Sequence, residues 1–436
     1  MRERSILGVD ILLICATVAL VTVGILFIYS SGVTSTGHSF SQEWIRQLVW
    51  ASVGMLIFIG VSILDYSRVR DWTPYLYGAT VLTLVGTLLF GRVVNGARSW
   101  IGIGELGVQP SEFAKVAMIL LLASYLDRRR AAIRKPATFA VALAIAGLPM
   151  GFVLLQPDLG TALVYIPVFL VMAFVAGARP SYIFFILGAG VLLVVFTVLP
   201  AWEQAIRGEE VALVRVLTDS RLFVFVVGAL LVVGIIGLLG VFVLKRRYFG
   251  WVIYAASIVS TALLGSVAAR QILKDYQLTR LIIFLDPNID PRGAGWNIIQ
   301  SVTAVGSGGI AGKGWLEGTQ SHLQYLPQQS TDFIFSILAE EWGFIGVLGI
   351  FAAYTVLMVR GLIICAKAKD NFAVYVGVGI VTMIFFHVAV NVGMAIGIMP
   401  ITGIPLFLLS YGGSSLWTAL ISIGLLMSIY LHRYRY

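Results

Sequence analysis

Runs of about twenty apolar residues return from one end of this 436-residue chain to the other. At about 1.5 Å per residue, a helix of that length crosses the hydrocarbon core of a bilayer. A backbone in lipid has to satisfy its own N–H and C=O groups, so such runs dictate helices. We place spans near residues 9–31, 44–64, 74–91, 110–126, 137–154, 161–178, 182–199, 222–244, 251–269, 333–359, 372–394 and 414–431. The expected fold is an all-α polytopic integral membrane protein with about 12 transmembrane helices. A charged fraction of 12%, about half that of a soluble domain, excludes the soluble classes.

Twelve spans leave both termini on one side of the membrane. The segments that then fall together are MRERS, DYSRVRDW, DRRRAAIRKP, ARPSY, KRRYFG, RGLIICAKAKD and HRYRY, and they hold 18 of the 30 Lys and Arg. The positive-inside rule makes that side, both termini included, cytoplasmic. The net charge of +9 therefore reports topology, and no nucleic-acid partner is expected. Cys15 and Cys365 fall in or beside apolar segments far apart in sequence, and four histidines are scattered. Neither pattern is a disulfide framework or a zinc site. The first run is too long for a signal-peptide core and reads as a retained helix.

One connection breaks the pattern of short loops. From Arg270 to Thr331 the chain stays outside the membrane, on the extracytoplasmic side. A connection this long is usually functional or disordered. Trp296, Ile298, Ile299, Val302, Trp315, Leu323 and Tyr325 supply apolar anchors, so a large ordered loop with short helices is expected. Within it, NIIQSVTAV has the spacing of an amphipathic helix. A second stretch, Ala201 to Arg221, reads as an interfacial helix joining two spans.

Polar groups converge at four helix starts on the outer side: Gln109-Pro110-Ser111-Glu112, Gln156 to Thr161, Ser330-Thr331-Asp332, and Ser410 to Ser415. Helix N-termini carry partial positive charge and free N–H groups that favour anions. With Arg98, Lys115, Arg280 and Lys313 nearby in this reading, they point to an anionic ligand. Trp100, Glu112, Asp158, Ser410 and Gly412 complete the candidates for binding it or shaping its site. Lys115 lies about one turn into a span, where a bare ammonium is costly, so it needs a partner. Glu112 and Asp158 are the candidates, and a structural ion pair stands beside direct substrate contact as a reading of Lys115. Asp332 is either a helix cap or a catalytic carboxylate, and the glycine-rich loop that delivers it to this convergence favours catalysis. Glu340 and Glu341 are expected to be structural. GSGG and GKG lack the strand–loop–helix context of a P-loop, and His387 beside Asn391 reads as a packed core residue.

Seven ordered blocks carry a family resemblance: VNGARSWI, QPSEFAK, QPDLGTALV, RLIIFLDPNIDPRGAGWNIIQSVTAVGSGGIAGKGW, GTQSHLQYLP, TDFIF with AEEWGFIG, and NVGMAIGIMPITGIPLFLLSYGGSS. Together they resemble the SEDS (shape, elongation, division and sporulation) family over most of the chain, and GKGWLEGTQS resembles its elongation branch more than its division branch. The resemblance implies a peptidoglycan glycosyltransferase of the bacterial cytoplasmic (inner) membrane. It would polymerise lipid II at the outer face, displacing undecaprenyl pyrophosphate with inversion. It makes Asp332, in TDFIF, the essential carboxylate and general base, and maps the family's Lys–Asp ion pair onto Lys115 and Asp158. It implies a class B penicillin-binding protein as the crosslinking partner, within the elongation machinery and among membrane lipids. The departing pyrophosphate needs positive charge, from Arg98, Lys115, Arg280, helix dipoles or a divalent cation, magnesium or manganese; no other cofactor is implied.

Against the family's core of about ten spans, residues 201–270 hold an extra helix pair within one membrane domain, 1–436. Gln328, Gln329 and Ser330 stand where the family often has an acid and a histidine, so no role carries over to them. A lipid II flippase is the alternative function, since buried charges and broken helices suit a transporter. Here the polar groups cluster towards the outer face, where a flippase would spread them through the midplane.

Overall fold

The structure, a computed structural model, describes residues 8–34, 41–94, 96–103, 106–207, 211–323 and 325–433. It opens with α1 (Ile11–Ser31), α2 (Glu43–Ile63) and α3 (Tyr66–Phe90), followed by three strands, β1 (Arg92–Val94), β2 (Ala97–Ile103) and β3 (Leu106–Val108). Then come α4 (Pro110–Arg128), α5 (Pro136–Leu155), α6 (Leu159–Val175), α7 (Pro180–Trp202), a short α8 (Ala212–Thr218), α9 (Ser220–Phe242) and α10 (Tyr248–Ile272). The long loop holds α11 (Asp275–Leu285), α12 (Ala294–Ser307) and α13 (Thr319–His322), and α14 (Ile334–Ala366), α15 (Asn371–Ala395) and α16 (Gly413–His432) complete the chain.

Among the described residues, ten helices are long and apolar enough to cross a membrane, and the chain is a multi-pass membrane protein. The two other expected spans are α4 and α6. The α6 helix has 17 residues, and α4 carries Glu112, Lys115, Asp127 and Arg128. Residues Ala114 to Leu120 of α4 are buried without a gap, and Glu112 is buried with them, so protein rather than lipid surrounds Glu112 and Lys115. Residues 1–7 and 434–436, the basic ends used to orient the chain, lie outside the described residues.

The chain divides into two compact units, Met1–Gly177 with Trp296–Tyr436, and Ala178–Gly295. In the first, α15 and α16 are buried on nearly every face. The α2 helix lies along α16, α1 along α14, α3 along α4, and both α4 and α6 pack on α15. Ion pairs lock one end of this bundle: Asp10, the N-cap of α1, accepts from Arg360 Nε at 2.9 Å, and Arg70 meets Asp127 at 2.7 Å. Tyr66 donates to Asp370, the N-cap of α15, at 3.2 Å.

The opposite end departs from an all-α fold. The strands β1, β2 and β3 form an antiparallel sheet in that order. It is tied to the end of α5 by Arg98 N donating to Gln156 O at 3.1 Å. Here too α14 is interrupted. Gly343 has φ 63° and ψ −163°, which a helix cannot hold. The loop splices the break: Phe344 N donates to Gly309 O and Ile345 N to Ile310 O, while Lys313 N and Gly314 N donate to Glu340 O and Glu341 O, all within 3.1 Å. The buried backbone groups freed by the break thus regain partners, as a membrane interior requires. Contact is close enough that a Cβ on Gly312 would stand 2.1 Å from Glu341 O, so residues 309–314 fit only as glycine-rich chain.

In the second unit α7, α9 and α10 pack together around Phe196, Leu217, Ala262 and Leu263. Tyr254 of α10 donates to Ser181 O at 2.7 Å. The stretch expected as an interfacial helix forms the end of α7, a π-helical turn at Glu203–Arg207 and α8. NIIQSVTAV lies within α12, as its periodicity predicts.

Candidate active site

Asp332 stands two residues ahead of α14 and is half-buried. The helix is capped by Phe333, with no side-chain capping bond, so Asp332 is not the cap that its position in the sequence allowed. Its side chain faces the loop between α15 and α16. Gly403 there has φ +71°, and a Cβ on it would lie 3.7 Å from Asp332 Oδ2. Glycine therefore leaves room beside the carboxylate and supplies a backbone turn that other residues adopt only under strain.

A polar line runs from this point into the bundle along one face of α15. Asn391 Nδ2 donates to Asp332 O and to Ile404 O, each at 2.9 Å. One turn away, His387 Nδ1 lies 2.9 Å from Pro405 O and Nε2 lies 3.1 Å from Lys115 Nζ. A carbonyl can only accept, so Nδ1 carries the proton and neutral Nε2 accepts from the ammonium. Lys115 also donates to Glu112 Oε1 at 2.8 Å and lies over the Phe407 ring at 5.3 Å, which stacks on His387 at 3.6 Å.

Of the two partners open in the sequence, Lys115 pairs with Glu112, three residues away on its own helix, and not with Asp158, which the resemblance implied. Asp158 instead caps α6, accepting from Thr161 N at 3.1 Å, and takes Gln109 Nε2 at 2.9 Å. A cap at the start of α6 satisfies free N–H groups and meets the positive end of the helix dipole. Lys115 and Glu112 are both almost fully buried, as an interior ion pair has to be to persist without water.

The other candidates are placed as follows. Ser410 is committed to structure: its hydroxyl accepts from Leu406 N at 2.8 Å and donates to Thr331 O at 2.6 Å. Gly412, at φ +148°, is the N-cap of α16 and donates to Gln47 Oε1 at 3.2 Å. Arg98 is exposed and donates to Leu88 O at 3.3 Å, and Trp100 lies against Gly107. Lys313 is held by Glu340 Oε1 and Thr319 Oγ1, both at 2.6 Å. Arg280 belongs to the second unit, on α11, with its guanidinium over Tyr276 at 5.5 Å.

Glu340 and Glu341 have the structural role expected of them. Glu340 accepts from Lys313, Thr319, Gln320 N and Ser321 N. Glu341 accepts from Ser30 and from Leu316 N, and faces His322 Nε2 at 3.5 Å. Two adjacent carboxylates at the broken helix thus gather the loop from 313 to 322. His322 Nδ1 lies 2.6 Å from Val33 O. Its pKa is raised above the ordinary 6.5, first by the bond to Glu341, against the opposing effect of burial, and then by the Val33 carbonyl.

Sequence reasoning passed over Gln47 and gave Asn391 no role beyond standing beside His387; both are fully buried or nearly so. The available signal was an amide in an otherwise apolar span, since a buried amide must spend its hydrogen bonds on something. Several buried atoms near the line, Ser111 Oγ, Glu112 Oε2, Asn391 Oδ1 and Thr402 Oγ1, have no protein partner. Among the described residues, no three His, Cys, Asp or Glu side chains gather as a metal site. The arrangement is one half-buried carboxylate at a glycine turn, backed by a buried, charge-balanced polar line.

Comparison with known proteins assigns this architecture. The sequence model of the FtsW/RodA/SpoVE family, described as "Cell cycle protein", matches residues 11–221 and 211–435. The "Peptidoglycan glycosyltransferase RodA" of Treponema pallidum (strain Nichols) is 48% identical over 431 residues, 98% of this chain and 99% of that protein. The "Peptidoglycan glycosyltransferase MrdB" of Escherichia coli (strain K12) is 32% identical over 89% of this chain and 85% of its own. A chain of a structure described as "Structural coordination of polymerization and crosslinking by a peptidoglycan synthase complex" superposes with a TM-score of 0.69 at 29% identity, covering 98% of this chain and 99% of that one. The crystal structure of the Thermus thermophilus rod shape determining protein RodA gives 0.60 at 25% identity, covering 98% of each. With its spans, its ordered blocks and a family match that runs nearly end to end, this chain belongs to the FtsW/RodA/SpoVE (SEDS) family.

Proposed function

We propose that this chain is a peptidoglycan glycosyltransferase that joins lipid II disaccharide units into glycan strands, with Asp332 as its general base. The observation that carries the assignment of the base is the setting of Asp332: a half-buried carboxylate whose Oδ2 faces the space left by Gly403, in a family whose relatives bear that enzyme name. In the reaction, a sugar hydroxyl of one lipid II attacks the anomeric carbon of a glycan chain linked to lipid pyrophosphate. A C–O bond forms as the bond to pyrophosphate breaks, and Asp332 takes the hydroxyl proton. A single displacement inverts the anomeric centre, from an α-linked donor to a β-linked polymer.

The buried line behind Asp332 has a separate task. Lys115, balanced by Glu112 and His387, contributes fixed positive charge without a net charge to solvate, and preorganised dipoles of this kind favour a developing anion. A magnesium or manganese ion would be held largely by pyrophosphate oxygens, with one or two protein carboxylates. No step above depends on it. The site faces outward from the cytoplasmic membrane, with both termini inside, on the loop-charge argument. A class B penicillin-binding protein, acting in cell elongation, is the expected partner. This reading is supported by the likeness to a chain from a complex described as coordinating polymerization and crosslinking.

The test compares wild type with Asp332→Asn, each purified with the partner protein and supplied with lipid II, with and without a chelator. Polymer on a gel from wild type and none from an equally folded, partner-bound variant supports the assignment. Equal polymer from both removes Asp332 from the chemistry, and none from either with active partner and substrate reopens the flippase reading.

A further inference from the structure

The three residues ahead of α14 present a backbone problem. Phe333 is the N-cap, and its carbonyl takes the first helical bonds, from Ser336 N and Ile337 N. The carbonyls of Ser330, Thr331 and Asp332 therefore fall outside the helical ladder, at a place only partly open to water. Each is met by a separate donor. Tyr411 N reaches Ser330 O at 2.8 Å, Ser410 Oγ reaches Thr331 O at 2.6 Å, and Asn391 Nδ2 reaches Asp332 O at 2.9 Å. Three consecutive peptide units, the last of them carrying the carboxylate, are thus pinned from outside their own helix.

Asn391 differs from the other two donors. It comes from another helix, is fully buried, and divides its amide nitrogen between Asp332 O and Ile404 O. Both partners are carbonyls, so the nitrogen has to face them and the oxygen has to face away. That oxygen is buried with no protein partner. Packing alone would favour an apolar side chain of the same size, because a buried unpaired acceptor is unfavourable. What asparagine adds is a two-pronged donor that fixes the Asp332 peptide against the Ile404 peptide, one residue from Gly403. That tie fixes the peptide from which the carboxylate reaches towards Gly403.

We infer that Asn391 is a positioning residue of the polymerase: it acts through Asp332, by holding the peptide that carries the carboxylate to the loop between α15 and α16. The inference rests on the reading of Asp332 as the base. Its signature is kinetic. A side chain with no exposed surface has no part in binding lipid II, so its loss leaves KM in place. A carboxylate displaced by about 1 Å costs on the order of 100-fold in rate, so kcat falls by about 10- to 100-fold.

The experiment uses the full chain with its crosslinking partner in detergent and titrates lipid II for wild type, Asn391→Leu, Asn391→Asp and Asp332→Asn. Thermal unfolding of each is measured in the same buffer. Asn391→Leu keeps the volume and removes both donors; Asn391→Asp keeps the shape and turns an acceptor towards two carbonyls. The expected result is a lowered kcat at an unchanged KM in whichever of the two keeps the wild-type Tm, with Asp332→Asn inactive. Wild-type kcat in a folded Asn391 variant overturns the inference. So does a raised KM at unchanged kcat, or a loss of kcat that tracks a loss of Tm in both variants, which would mark a merely structural residue. Activity in Asp332→Asn strikes instead at the reading beneath.

Discussion

At Lys115 a full positive charge sits almost out of reach of solvent, and its surroundings show how the chain tolerates it. Glu112, His387 and the Phe407 face share the ammonium, and Glu112 Oε2 has no other protein partner. Lys115→Met strands a buried carboxylate, so it should lower unfolding stability by about 3–5 kcal/mol, whereas Lys115→Met with Glu112→Gln should recover a large part. Denaturation of both in one detergent measures the difference, and a double variant no better than the single would refute the pairing. His322 gives a pH dependence of definite sign. Its folded pKa lies above the ordinary 6.5 because of Glu341 and Val33 O. The stabilisation it brings to the loop is therefore complete below about 6.5 and lost as pH rises through the folded value. Amide protection factors around residues 316–323, with the intrinsic pH dependence of exchange divided out, should fall across that window in wild type and stay flat in His322→Gln. At this scale the sequence was only partly legible. The need of Lys115 for a partner could be read from its depth, but the choice between Glu112 and Asp158 depends on where α6 starts. Asp158 is drawn off by the free N–H of Thr161 and by Gln109, and neither demand is visible in a string of letters.

Among the elements, the broken α14 is the most informative. Both sides of its break are spliced to residues 309–314, through four backbone bonds in all, and the fit depends on glycine at 312 and 343. Gly312→Ala places a methyl group against Glu341 O at a φ of +81°. It should therefore cost more than about 1 kcal/mol and hasten amide exchange at Lys313, Gly314, Phe344 and Ile345. Unchanged exchange at those four amides would show that the splice is not a unit. The helices themselves were legible because lipid leaves the backbone no alternative to pairing within each run. The sheet was not expected, although Asn95-Gly96 between Val93-Val94 and the alternating Ala97 to Ile103 is a hairpin signal. Its strands are three, seven and three residues long, too short to stand out beside twelve apolar runs. The break at Gly343 left no mark at all, since Trp-Gly-Phe inside an apolar run also reads as plain helix.

For the molecule as a whole, the second unit poses the remaining question. The family model matches in two pieces that overlap at residues 211–221, close to the extra pair we propose within 201–270. The polar line, Asp332 and the splice all belong to the first unit. Replacing residues 203–272 by a short flexible linker should therefore leave lipid II polymerisation within about threefold of wild type, about 0.6 kcal/mol in barrier terms. Loss of polymer from a folded, partner-bound deletion would show that the pair serves the reaction. The family could be recognised in the sequence because its blocks sit where backbone and polar side chains interlock, at 109–112, 156–161, 309–314, 330–332 and 401–412. The division into two units could not, because the helices of the second are as apolar as those of the first. The splice has a mechanical consequence. The C-terminal two-thirds of α14 form a shaft that has to follow the bilayer as it thickens, thins or bends, and a continuous helix would carry each tilt straight to its tip. At Gly343 the loop clamps both sides of the break, Glu340 and Glu341 before it and Phe344 and Ile345 after it, so a tilt of the shaft is shared with residues 309–314 before it reaches the carboxylate.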